Sequence, residues 1–274
     1  MYQDPCIPLL ISYLYGHNSC RMPNKTLRYF LQIAYRGTHY HGWQIQQNAT
    51  TVQGVIQARL GQILRSEVQL VGSSRTDTGV HARQQFAHVD LAPGLDVQKL
   101  HYQLNAILPP DIAIERIRPV KPHAHARFDA LARTYVYTIV RTKAPFQEAT
   151  SYWLRAPLDV SKMNAATALL GHKQDFKRLC KKHPADRHCL CTIMEAGWVV
   201  QQDQLLFRIK ANRFLRGMVR IIVGLLLQIG QGQVSLAAFE AFIDHKAHDL
   251  AVSLVPAQGL VLTEVVYPAR IFIT

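Results

Sequence analysis

The chain has 274 residues, of which 49% are hydrophobic and 18% charged. That supplies the core of one large domain or two small ones and excludes wholesale disorder. Its 31 lysines and arginines against 18 acids leave a formal charge of +13, an imbalance that concerns partners more than fold and points to a polyanion. The five cysteines, Cys6, Cys20, Cys180, Cys189 and Cys191, are too few and too unevenly spread for a disulfide framework, so a cytoplasmic, reducing compartment is expected.

Residues 1–24 show no periodicity and contain Pro5, Pro8, Gly16 and Pro23. They read as an N-terminal extension, either disordered or upstream of the true start, because Met22 offers a second place to begin translation. An apolar run from Pro8 to Tyr15 follows Asp4 instead of a basic region and has no small-x-small cleavage site, so secretion is not expected. Leu27 onward (LRYFLQIAY) reads as a strand, followed by a loop over 36–48. Val52, Ile56, Leu60, Ile63 and Leu64 fall at helical spacing. Short strands at 68–71 and 84–89, a helix over 97–107 stopped by Pro109-Pro110, and a strand over 112–117 complete the first half. The second half reads as a strand at 134–140, a helix at 161–170, strands at 191–200 and 204–211, helices at 213–229 and 236–244, and a strand at 261–267. Such runs predict an α+β fold with helices on one side of mainly antiparallel sheets. The longest strongly apolar stretch, Ile221 to Leu227, is far short of the roughly 20 residues that span a bilayer, so no membrane helix is expected.

The positive charge is local. Windows 115–143, 173–187 and 208–220 hold 18 of the 31 bases and 4 of the 18 acids, as a polyanion footprint requires. The helical projection of 213–229 places Arg213, Arg216 and Arg220 on one face, opposite Phe214, Met218, Ile221, Leu225 and Ile229.

The segment Gly72 to Ala82 (GSSRTDTGVHA) is dense in Ser, Thr, Asp and Gly after an apolar strand, and reads as a tight loop presenting side chains at a sheet edge. Asp77 at its centre suits a turn aspartate bonding its own backbone. Arg75, two residues away, would hold the carboxylate ionised, and a positioned carboxylate can act as a nucleophile. Asp77-Thr78-Gly79 also matches the Asp-Thr-Gly of aspartic proteases, but those need a second carboxylate to share one proton. The sequence has a single copy, and a neighbouring arginine opposes the shared proton.

Arg75-Thr-Asp-Thr-Gly-Val-His-Ala82 resembles the signature loop of the tRNA pseudouridine synthase A family. Three further segments match in order: Tyr35 to Gln44 (YRGTHYHGWQ), His125 to Tyr137 (HARFDALARTYVY) and Asn212 to Arg220 (NRFLRGMVR). The likeness spans Leu27 to Tyr267. It implies a fold of two ferredoxin-like halves forming a continuous sheet around a central basic cleft. The corresponding division is an N-terminal subdomain over 25–118, carrying the Asp77 loop, and a C-terminal subdomain over 119–274, carrying the tyrosine and arginine motifs. It also implies isomerisation of uridine to pseudouridine in the tRNA anticodon stem-loop, at positions 38 to 40, without a cofactor, by a homodimer.

By the same resemblance Asp77 is the nucleophile, Arg220 its basic partner, and Tyr135 the residue that stacks on the target base; Arg75, Arg127 and Arg216 are expected to bind substrate. Tyr135 and Tyr137 also suit one buried face of a strand. The sequence departs from the family pattern at Ser74 (usually glycine), Arg36 (commonly aspartate), Asp129 (commonly serine) and Cys191 (often arginine), which bears on substrate positioning more than on chemistry. His183, His188, Cys180, Cys189 and Cys191 invite a zinc site, but the one-residue gap of Cys189-Leu190-Cys191 and the basic surroundings argue against a metal. The alternative to an enzyme is a catalytically silent RNA-binding protein on the same fold.

Overall fold

The computed structural model describes residues 26–181, 189–246 and 250–273. The extension over 1–24, the choice between Met1 and Met22, and His183 and His188 of the weighed zinc cluster lie outside the described residues.

Among the described residues, nine strands form one sheet. The main path is β4-β1-β3-β9-β5-β8-β7, with β2 on β3 and β6 on β5. The N-terminal part comprises β1 (Leu27–Tyr35), α1 (Val52–Leu64), β2 (Val71–Gly72), β3 (His81–Leu91), α2 (Val97–Ile107) and β4 (Ile112–Pro119). After it come β5 (Ala132–Val140), β6 (Tyr152–Trp153), α3 (Val160–Leu170), β7 (Ile193–Gln201), β8 (Gln204–Ala211), α4 (Met218–Gly230), α5 (Leu236–Ile243) and β9 (Leu260–Val266). The fold is α+β with a mainly antiparallel sheet, as the alternation of elements predicts. The exceptions are the β5–β6 pair and the junction of β3 with β9, which runs parallel through only His81↔Val261 and Ala82↔Leu262.

Burial alternates along the strands. Tyr135, Tyr137 and Ile139 of β5 and Leu205, Phe207 and Ile209 of β8 are buried, whereas Val136, Thr138, Leu206 and Arg208 between them are less so. One face of the sheet therefore packs the core and the other is open, the usual economy of an antiparallel sheet. α2 packs on β4 and α1, and α3 packs on β7 and α4.

The last long helix departs from the expected reading. α4 begins at Met218, not at residue 213, because Gly217 adopts φ +68° and places a left-handed residue immediately ahead of the helix. Arg213 and Arg216 lie in the turn before it and share no helical face with Arg220. Nor is α4 amphipathic. Eleven of its residues are buried, leaving Arg220 and Gln228 as its two half-buried positions, the pattern of a core helix. The chain from 250 to 256 lies across it, close enough that a Cβ on Gly224 would sit 2.4 Å from the Ser253 carbonyl oxygen.

Candidate active site

Asp77 stands in the loop between β2 and β3, and its backbone is braced from both sides. On one side, Ser73 N–H donates to Phe86 O at 2.7 Å, Ser73 Oγ donates to Gln85 Oε1 at 2.6 Å, and Gln85 Nε2 donates to Ser74 O at 2.8 Å. On the other, the loop over 36–48 closes against it. Trp43 N–H donates to Thr76 O at 3.2 Å, Gly79 N–H donates to Tyr40 O at 3.3 Å, and Tyr35 Oη pairs with Thr76 Oγ1 at 2.8 Å. Gly42, at φ +85°, makes that approach possible, since a Cβ there would lie 2.4 Å from Thr76 O. Val80 N–H returns to Asp77 O at 3.1 Å, closing a turn over Gly79 at φ +77°. With its main chain so occupied, Asp77 keeps a half-buried carboxylate facing the rest of the site.

Arg220, in the first turn of α4, faces that carboxylate: Nη1 is 3.7 Å from Asp77 Oδ2. This is charge contact at more than hydrogen-bond length, so it does not consume the carboxylate's lone pairs. Arg220 is itself held by Nε, which donates to Val255 O at 2.8 Å. Tyr135 is 7% exposed, its ring perpendicular to Phe214 at 5.1 Å between centroids. Burial pushes its phenol well above the ordinary range and the nearby Asp77 charge adds to the effect, so the ring is a neutral wall.

The other sequence-derived residues distribute differently. Among the described residues, the cation paired with Asp77 is Arg220, not Arg75. Arg75 is exposed beyond the buried Thr76 and presents its charge to Arg127, whose guanidinium is held below its usual pKa by partial burial and by repulsion from Arg75 and Arg213. Arg216 is exposed one residue before Gly217, its carbonyl accepting from Lys181 N–H at 2.9 Å. Of the departures from the family pattern, Cys191 is buried against Met218 with its thiol pushed up to about 12 by burial, and Asp129 caps its own loop by accepting from His125 N–H at 2.7 Å.

Sequence reasoning missed Arg133. It is 7% exposed and donates to four carbonyls: Ala130 O at 3.0 Å, Asn212 O at 2.7 Å, Ser73 O at 3.1 Å and Arg127 O at 2.6 Å. One guanidinium thus joins the Asp77 loop, the Arg127 loop and the turn that carries Arg213. The signal for it was an arginine on the inward-facing register of a strand, in phase with Tyr135 and Tyr137. His81 was also missed. Its Nδ1 accepts from Gly37 N–H at 2.9 Å and its Nε2 meets Gln258 O at 3.0 Å, so the neutral ring with a proton on Nε2 closes both bonds across the β3–β9 junction.

The chain matches the family described as tRNA pseudouridine synthase over residues 32–129 and 165–268, stretches that contain Asp77, Arg127 and Arg220. It is 44% identical over 248 residues to the tRNA pseudouridine synthase A of Bacteroides fragilis, covering 89% of this chain and 98% of that one. It is 43% identical over 250 residues to the protein of the same description from Porphyromonas gingivalis, covering 90% and 99%. An aspartate braced on a turn, an arginine facing it and a buried tyrosine beside it therefore occur in a chain that is alike along nearly the whole of these relatives, and the chain belongs to the tRNA pseudouridine synthase A family.

Proposed function

We propose that the protein isomerises uridine to pseudouridine in tRNA, at positions 38 to 40 of the anticodon stem-loop, with Asp77 as nucleophile and no cofactor. The observation that carries this reading is the Asp77–Arg220 contact at 3.7 Å beside the buried Tyr135. The arginine faces the carboxylate at more than hydrogen-bond length, so the oxygens stay available. The reaction breaks the bond between C1′ and the base nitrogen, turns the uracil, and makes a bond from C1′ to its ring carbon, which passes its proton to nitrogen, so nothing is gained or lost. Tyr135 offers a flat face to the uracil, replacing part of the stacking lost when the base leaves the RNA helix. Arg75, Arg127 and Arg216, all exposed, are positioned to meet phosphates.

The division into subdomains at 25–118 and 119–274, a cytoplasmic location and a homodimer belong to the same proposal. Supporting the dimer are the open sheet face and the exposed Met194, Val199 and Val200 on edge strand β7; sedimentation at the mass of one 31.0 kDa chain would exclude it. No helix among the described residues is long and apolar enough to cross a membrane.

The decisive test is Asp77→Asn, which preserves shape and removes charge and nucleophile. Purified variant and wild type are compared for tRNA affinity and for pseudouridine formed at mapped positions. The variant should bind tRNA as wild type does and form no pseudouridine. Undiminished product in the variant would remove Asp77 as nucleophile, and a wild type that binds tRNA yet leaves its uridines unchanged would favour a silent RNA-binding protein.

A further inference from the structure

Phe128 is a large apolar side chain with 75% of its surface in water, one residue from a guanidinium and on a loop that is not loose. His125 Nδ1 accepts from the N–H groups of both Arg127 and Phe128, at 3.1 and 3.3 Å. Asp129 Oδ2 accepts from His125 N–H, and Asp129 N–H donates to His125 O at 3.0 Å. Beneath, His88 Nδ1 accepts from Ala126 N–H at 3.1 Å, and Tyr267 Oη donates to Ala126 O at 2.5 Å. The rings of His88 and His125 meet at 4.7 Å, those of His125 and Phe128 at 4.3 Å, and the Arg127 guanidinium sits 5.7 Å from the Phe128 ring centre. A water-facing aromatic is thereby held at a fixed angle although its exposure costs the fold free energy.

The platform adjoins the reacting carboxylate's loop. One nitrogen of Arg133, Nη2, donates to both Arg127 O and Ser73 O, so the main chain next to Phe128 and the main chain leading to Asp77 are one guanidinium apart. The charges that bear on Arg127 are those of Arg75 and Arg213. An exposed ring beside the Arg127 guanidinium, itself close to two further arginine charges, suits a polyanion with flat apolar faces.

We propose that Phe128, propped by His125 and flanked by Arg127, is a stacking platform for an unpaired base of the tRNA other than the reacting uridine, whose own partner is Tyr135. The inference rests on the reading of the protein as a tRNA-modifying enzyme. It adds a second base-binding position that holds the RNA while the uridine is turned. Stacking of a base on an aromatic ring is sequence-tolerant and contributes through area and polarisability, so ring area, not mere apolarity, should set its strength.

The test uses the full chain with an unmodified tRNA transcript and the variants Phe128→Ala, Phe128→Leu, Phe128→Tyr and Phe128→Trp. Thermal midpoints and sedimentation serve as controls. Phe128→Ala and Phe128→Leu should weaken tRNA binding about tenfold, and Phe128→Tyr and Phe128→Trp should retain wild-type affinity. Wild-type affinity in Phe128→Ala, full restoration by leucine, or a change of oligomeric state in place of RNA affinity would each overturn the platform while leaving the enzyme reading intact. A wild type that neither binds nor converts the tRNA would overturn both.

Discussion

Arg133 is a buried cation solvated by main chain. Four carbonyls accept from it and none of the ion pairs among the described residues supplies it a carboxylate. Burial holds its pKa below the usual arginine value, and the positive charges of Arg127 and Arg213 add to that. Replacing it with methionine would fill the volume but leave carbonyls without donors, at a cost of about 3 kcal/mol, read as a lower urea midpoint together with loss of pseudouridine formation. Lysine should rescue little, because one ammonium cannot span acceptors that the planar fork reaches at once. An Arg133→Met protein with wild-type midpoint and activity would show that the three loops hold their places without it. This role was hidden in the sequence for a geometric reason: Ser73 and Asn212 lie 60 and 79 residues away. Asp77 was legible by contrast because its loop announces itself locally, through turn residues crowded after an apolar strand. Its cationic neighbour was legible only through the family resemblance, which implied Arg220; local spacing offered the adjacent Arg75, whereas Arg220 arrives from α4.

Helix limits were readable where the chain carries its own punctuation. α1 and α2 run as their periodicity predicts, and each starts at a side chain that caps it: Thr51 accepts from Gly54 N–H at 3.3 Å and Asp96 from Lys99 N–H at 2.9 Å. α4 was drawn starting five residues too early because apolar spacing continues through Phe214 and Leu215 and cannot register the left-handed Gly217. The same helix sets a test with a diagnostic sign. Glycine within a helix ordinarily costs about 0.5–1 kcal/mol relative to alanine, so Gly224→Ala should stabilise a helix with free space around it. Here the new Cβ would meet the Ser253 carbonyl, and the displaced chain carries Val255, whose carbonyl holds Arg220. Gly224→Ala is therefore expected to destabilise by about 1–3 kcal/mol and to lower the single-turnover rate more than tRNA affinity. A raised thermal midpoint with unchanged rate would refute this coupling of α4 to the site.

Across the molecule, the N-terminal strands meet the rest of the sheet through two residue pairs of β3 and β9, reinforced by side chains. His81 bridges Gly37 and Gln258, Gln84 Oε1 accepts from Val265 N–H at 2.8 Å, and Arg133 reaches Ser73. Burial holds the His81 pKa below the ordinary 6.5, holds that of His125 down likewise, and lowers that of His88 to about 4, with repulsion from Arg28 contributing to the last two. A base whose folded pKa is depressed takes up its proton preferentially in the unfolded chain. Stability is then fully present above about 6.5 and falls as pH drops towards 4. The thermal midpoint should be level near neutrality and decline through that interval, and His88→Gln should flatten part of the decline. A midpoint that holds steady from pH 7 to pH 4 would contradict the assignment. Carboxylates such as Asp90 and Glu264, held below their ordinary values of 3.8 and 4.5 by Arg28 and by Thr134 with Lys210, act at the acid end of the range.

The crowding of Arg127 and Arg133 with Arg75 and Arg213 has a thermodynamic corollary. Burial and mutual repulsion hold Arg127 and Arg133 below the ordinary arginine pKa, and the hydrogen bonds of Arg133 go to neutral carbonyls that leave its charge uncompensated. If phosphates of the substrate meet Arg75 and Arg127 as proposed, they would offset that repulsion, and this relief would add to the affinity.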